Sequence, residues 1–195
     1  GSSIDLDQFR SLPESEKKHD VVFLGRLHEL KGVFDLPEVW AQVKTARPAA
    51  TLKVIGEGPH RTAVMDRFAA RNLMDGVEFT GGIGEEDKNR LLAEARLGLS
   101  LSSEEGWGLA VNEYLASELP VVAYDLPVFQ EVFPDVLHSV SLGDKTAASR
   151  AILELLADPA AREAMGRQGR ELAQRYDYRA MAREELRHLE ALGKS

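Results

Sequence analysis

Residues 21–32 read Val21-Val22-Phe23-Leu24-Gly25-Arg26-Leu27-His28-Glu29-Leu30-Lys31-Gly32. Four apolar residues in a row, closed by glycine, describe a short strand buried on both faces. The period then changes. Val33, Leu36, Val39, Trp40 and Val43 recur at helical spacing, which predicts a helix over 33–46. A buried strand, a glycine-containing turn and an amphipathic helix form the first half of a βαβ unit.

The same alternation runs outward from this unit. Short apolar runs at 51–55, 77–80, 97–101, 120–123 and 138–141 read as further strands. Helical patterns lie between them. At 59–71 they place Ala63, Val64 and Phe68 on one side; at 85–95 they hold Leu91, Leu92 and Ala95; a short apolar one covers 109–117. After Gly143 only helices are expected: 144–156, a second capped by Asp158 with Pro159 at its first position, and a last one from Asp177 through Met181, Leu186 and Leu189. The expected fold is α/β, a doubly wound, Rossmann-like parallel sheet of about six strands. Helices cover both faces and a helical segment ends the chain.

Composition narrows the function classes. The chain has 195 residues, a formal net charge of −8, 44 % hydrophobic and 29 % charged residues, and no cysteine. That length suits one domain with a core of its own. Without cysteine there is no disulfide, no thiolate zinc site and no thiol nucleophile. The acidic balance argues against nucleic acid as a partner, because phosphate-backbone affinity needs a basic face. No apolar run is long enough for a transmembrane segment. The five histidines lack metal-site spacing, so no metal is expected. Asp5-Leu6-Asp7 lies in a polar lead-in and reads as coincidence rather than a metal motif. Gly1-Ser2-Ser3 looks like a protease-cleavage scar, so the chain is expected to be an excised piece of a longer protein.

Three stretches can carry chemistry. Arg26 and Lys31 flank the turn after the first strand, at the edge where open α/β sheets bind ligands, and both can face an anion. Taken alone, the pair reads more simply as solvated surface charge. Gly56-Glu57-Gly58-Pro59 is a turn without the third glycine of the dinucleotide fingerprint, since His60 and Arg61 follow. The richest stretch is Ser102-Ser103-Glu104-Glu105-Gly106-Trp107-Gly108-Leu109-Ala110-Val111-Asn112-Glu113. It follows the fourth strand, where a doubly wound sheet reverses direction. Its glycines allow close approach of a ligand, its amides open a helix, and its two carboxylates can accept from sugar diols. Acids complementing a helix dipole would explain the glutamates, but not Gly-Trp-Gly beside them.

Five motifs occur in order: Gly25-Arg26 with Lys31-Gly32, Gly56-Glu57-Gly58-Pro59, Val77-x-Phe79-x-Gly81, Glu105-Gly106-Trp107-Gly108-Leu109 with Glu113, and Pro120-Val121-Val122-Ala123. Together they resemble the C-terminal, donor-binding domain of family-4 retaining glycosyltransferases of the GT-B fold. The likeness runs from about Val21 to Tyr178. It implies that Arg26 and Lys31 neutralise a donor diphosphate in place of a metal, and that Glu105 contacts the transferred sugar. Gly25, Gly106, Trp107, Gly108 and Leu109 would line the donor and offer amides. Gly82 and Ile83 would border the nucleobase, and Glu113 would hold the ribose.

The resemblance further implies a nucleoside-diphosphate sugar as donor substrate, no cofactor, and an N-terminal acceptor domain missing from this chain. Residues 1–19 would be the scar and an interdomain-linker remnant, and 20–195 the nucleotide-sugar-binding domain. Alone the domain would transfer little sugar. The expected location is cytoplasmic, with any peripheral membrane contact made through the missing domain. Departures from the family pattern are Glu118 for a common Gly, Asp125-Leu126-Pro127 for a Gly-Gly turn, Trp107 for Phe and Tyr178 for Trp. The alternatives are a non-catalytic nucleotide or nucleotide-sugar binding module, and a Rossmann oxidoreductase domain, against which His60 and Arg61 count.

Overall fold

The computed structural model describes residues 4–177. Six strands, β1 (His19–Leu24), β2 (Leu52–Ile55), β3 (Val77–Gly81), β4 (Ala95–Ser100), β5 (Val121–Tyr124) and β6 (His138–Val140), form one sheet in the order β3-β2-β1-β4-β5-β6. Every adjacent pair is parallel. The chain winds outward from β1 to β3, crosses back to β4, then winds the other way. The switch point therefore lies between the ends of β1 and β4, directly behind the two loops that the sequence marks as chemical.

Among the described residues, seven α-helices cover the sheet: α1 (Leu36–Ala46), α2 (Arg61–Ala70), α3 (Glu85–Ala93), α4 (Leu109–Ala116), α5 (Pro127–Val132), α6 (Lys145–Ala157) and α7 (Pro159–Ala173). Successive strand residues point to opposite faces, so β1 feeds two cores. Val21 and Phe23 pack with Trp40, Phe68 and Ile152 on one side; Val22 packs with Tyr114, Leu115 and Phe129 on the other. Trp40 is fully buried, and truncating so large a side chain costs about 3–5 kcal/mol.

The expected helix over 33–46 is shortened. A 3-10 turn, Glu29–Lys31, comes first, and Gly32 is left-handed at φ 68°. A Cβ there would lie 1.9 Å from the Leu101 carbonyl oxygen, so only glycine lets the two loops meet. The helix proper starts at Leu36, with Pro37 in its first turn. In α2, Val64 and Phe68 are buried as expected, but Ala63 is exposed. The sequence pattern does not announce α5, because six residues are too few to show a period; Pro127 starts it and Phe129 and Val132 bury it.

Asp144 and Asp158 cap α6 and α7, accepting from the amides of Ala147 at 2.8 Å and Ala161 at 2.9 Å. The helix expected beyond Asp177 lies outside the described residues. Asp177 itself accepts from the Leu6 amide at 3.1 Å. The lead-in packs on the second core through buried Ile4 and Phe9. Asp5 caps a 3-10 turn there by accepting from the Asp7 amide.

Candidate functional site

The site is built where β1 and β4 part. Their register ends at the Phe23–Leu99 pair. Beyond it the Tyr114 hydroxyl bridges the gap, accepting from the Leu24 amide at 2.6 Å and donating to the Leu99 carbonyl at 3.2 Å. Burial pushes its pKa up, so this hydroxyl stays neutral. The two loops are also tied directly: the Ser103 amide donates to the Leu30 carbonyl at 2.9 Å.

Above this floor lies a pocket of about 330 Å³ lined by Arg26, Lys31, Glu104, Glu105 and Gly106, with His28 and Leu30 at its side. Lys31 donates to Glu105 Oε1 at 2.5 Å, and Ser102 Oγ donates to the same oxygen at 2.8 Å. The Glu105 side chain is only 11 % exposed. Arg26 is exposed, and none of the described residues forms an ion pair or side-chain hydrogen bond with it. The pocket thus presents a free guanidinium, a lysine held by a carboxylate, that carboxylate, and the exposed Glu104 at its edge.

The two glycines of the loop differ. Gly108 is left-handed at φ 99°, and a Cβ on it would strike the rings of Phe129 and Phe133 at 2.8 and 2.9 Å. Its smallness serves the core. At Gly106 a Cβ would meet nothing within 4 Å. Its openness therefore faces outward, where a ligand backbone contact can form. The Trp107 ring turns to the core, edge-on to Tyr176 at 4.9 Å and Phe133 at 5.5 Å, so the group it could offer a ligand is its amide. Leu109 opens α4 half exposed, and no side chain among the described residues caps that helix. Its first-turn amides are free of side-chain acceptors and suit an anion.

Glu113 lies one turn further along α4, outside that pocket. Its Oε1 accepts from Lys88 at 2.7 Å, and Lys88 also donates to Glu85 at 2.6 Å. Burial raises the Glu113 pKa despite Lys88. Burial also pulls Lys88 down, but its hydrogen bonds to Glu113 and Glu85 outweigh this and hold it above the usual lysine value. Gly25 closes β1 against the neighbouring turn: a Cβ on Gly56 would lie 2.0 Å from the Gly25 carbonyl oxygen. Gly82 and Ile83 sit apart, after β3 at the sheet's edge. The Gly82 amide donates to Glu57 Oε1 at 3.3 Å, and Ile83 packs on the second core.

The structure therefore brings Arg26, Lys31, Glu105 and Gly106 together, places Leu109 and Glu113 along the adjoining helix, and sets Gly82 and Ile83 two strands away. Three supporting residues escape the motif reading. Tyr114 sits in an apolar helix and reads there as core. Ser102 hides beside the glutamates. Lys88 carries a usable signal, since it precedes Leu91 and Leu92 by three and four positions and so falls on the buried face of α3. Among the described residues no group of three or more His, Cys, Asp or Glu can hold a metal ion.

A match to the family model described as "Glycosyl transferases group 1" spans residues 5–172. The chain belongs to this family of glycosyl transferases. A phosphatidyl-myo-inositol mannosyltransferase of Propionibacterium freudenreichii subsp. shermanii is 31 % identical over 164 residues, covering 81 % of this chain and 40 % of that relative. The C-terminal domain of a Francisella tularensis glycosyl transferase group 1 family protein superimposes with a TM-score of 0.77 at 19 % identity, covering 90 % of this chain and 99 % of that one. Anabaena Alr3699/HepE, solved with UDP, superimposes with a TM-score of 0.84 at 18 % identity, covering 97 % of this chain and 56 % of that one. These two likenesses concern the fold. The chain spans about half or less of the length of curated relatives it matches. Among its described residues, no helix is long and apolar enough to cross a membrane.

Proposed function

We propose that this chain is the donor-binding half of a retaining glycosyltransferase that uses a nucleoside-diphosphate sugar and no metal ion. The observation that carries the reading is the single pocket that joins Arg26, Lys31, Glu105 and Gly106 beside the uncapped start of α4. Two cations and a helix N-terminus are what a departing diphosphate requires as its charge develops. In that role Arg26 takes phosphate oxygens directly. Lys31 exchanges Glu105 for phosphate, which frees Glu105 to accept from hydroxyls of the transferred sugar. Glu113, with Oε2 unbonded to any described residue, accepts from the ribose diol. Gly82 and Ile83 would border the base once the Gly82 amide leaves Glu57.

The lengths of the relatives support a second, acceptor-binding domain supplied by the native protein. The chain alone then binds donor but lacks turnover; a rate typical of complete enzymes, on the order of 1–10³ s⁻¹, would refute this. The binding test is calorimetric titration with UDP, GDP and ADP. Saturable binding of at least one supports the reading, and no binding of any at millimolar concentration overturns it. UDP is the first probe because the Anabaena neighbour was solved with it. A non-catalytic module would bind the same ligands; restoring transfer by adding the acceptor domain separates the two.

A further inference from the structure

We infer that Lys88 is a positioning residue of the nucleotide site, holding the Glu113 carboxylate ionised and aimed so that its second oxygen can take the ribose. The inference rests on the donor-site reading above and adds to it a residue from a different helix. Lys88 is 7 % exposed, on the face of α3 that also buries Leu91 and Leu92. An apolar residue would fill that place without cost, whereas a buried ammonium is tolerated only when paired. Its stem crosses the buried face and its head emerges between two carboxylates, Glu113 Oε1 at 2.7 Å and Glu85 Oε2 at 2.6 Å.

The two partners are unequal. The Glu85 side chain is 74 % exposed and water can replace what Lys88 gives it. The Glu113 side chain is 20 % exposed. The charges acting on it are Lys88 and Glu85, both of α3, and Glu85 opposes its ionisation. Without Lys88, a carboxyl already disfavoured by burial keeps only a like-charged neighbour. It then holds a proton more readily and loses the acceptor capacity that a diol needs. Lys88 also fixes geometry: with Oε1 taken, Oε2 is the oxygen without a donor among the described residues. A purely structural clasp between α3 and α4 would show the same distances, so the test must separate fold from site.

The test compares Lys88→Met, Lys88→Arg and Glu113→Gln with the unmodified chain. UDP and inorganic pyrophosphate are titrated by calorimetry, the Glu113 carboxyl is followed by ¹³C NMR against pH, and thermal melts check folding. Lys88→Met should raise the Glu113 titration midpoint by about one unit and weaken UDP about tenfold. It should leave pyrophosphate within about twofold, and Lys88→Arg should restore most of the UDP affinity. Adding Lys88→Met to Glu113→Gln should cost nothing further, because the lysine acts through the glutamate. The inference is overturned if the folded Lys88→Met chain binds UDP as the unmodified chain does, loses UDP and pyrophosphate alike, or adds its loss to that of Glu113→Gln. If the unmodified chain binds no nucleotide, the donor reading fails by itself; the Glu113 midpoint still decides the Lys88 role, an unmoved midpoint counting against it.

Discussion

Removing one oxygen atom, Tyr114→Phe, tests how the floor of the site is held. The hydroxyl sits where the β1–β4 ladder runs out and serves both strands, accepting from the Leu24 amide at 2.6 Å and donating to the Leu99 carbonyl at 3.2 Å. Phenylalanine keeps the ring over Gly98 and opens almost no cavity. The Leu99 carbonyl has a second lone pair, so the main casualty is the Leu24 N–H. A buried donor left unpaired costs about 1–3 kcal/mol. For a chain of this size that lowers Tm by roughly 3–10 °C. Urea unfolding should show a lower midpoint at unchanged slope, and hydrogen exchange at Leu24 should accelerate. A loss below about 0.5 kcal/mol, with the Leu24 amide still protected, would refute the bridging role.

Four further outcomes follow from the same geometry. Gly108→Ala should cost more than about 2 kcal/mol, from the left-handed backbone and the two phenylalanine rings, while Gly106→Ala should leave the melting curve unchanged and weaken UDP in titration. Glu113→Ala should weaken UDP more than pyrophosphate in paired titrations; equal losses would remove the ribose role. Since the Glu113 pKa is raised and the ribose needs the ionised form, UDP affinity should decline with falling pH while still above the ordinary carboxylate range, more steeply than in Glu113→Gln titrated with the same ligand. His19, whose pKa burial lowers to about 4, binds a proton more weakly folded than unfolded; its contribution is full above about 6.5 and is lost as pH falls toward 4. His19→Gln should flatten that part of the stability curve measured by urea unfolding.

Much of this was readable in the chain because the signals are local. The continuous apolar run 21–24 and the helical stripe ending at Val43 report burial directly, and Asp158-Pro159 announces a helix start by stereochemistry. Arg26, Lys31 and Glu105 were legible as candidates because glycines and charges cluster after strands. Their union in one pocket was not, since it depends on Gly32 meeting the Leu101 carbonyl across the switch point. Gly108 read as ligand-facing, and the structure adds a second reason for glycine there, its left-handed backbone and the rings beneath it. Tyr114 and Lys88 hold the site through partners far away in sequence, at Leu24 and Glu113, and a single chain pattern carries no mark of such pairs.

A nucleoside diphosphate should bind at the strand ends between β1 and α4. Two-dimensional ¹H–¹⁵N NMR of the labelled chain, titrated with UDP, tests it residue by residue. The largest shifts should fall on the amides of 25–32 and 104–113, and Arg26→Ala with Lys31→Ala should abolish them. Shifts confined to other surfaces, or none at millimolar UDP, would contradict it.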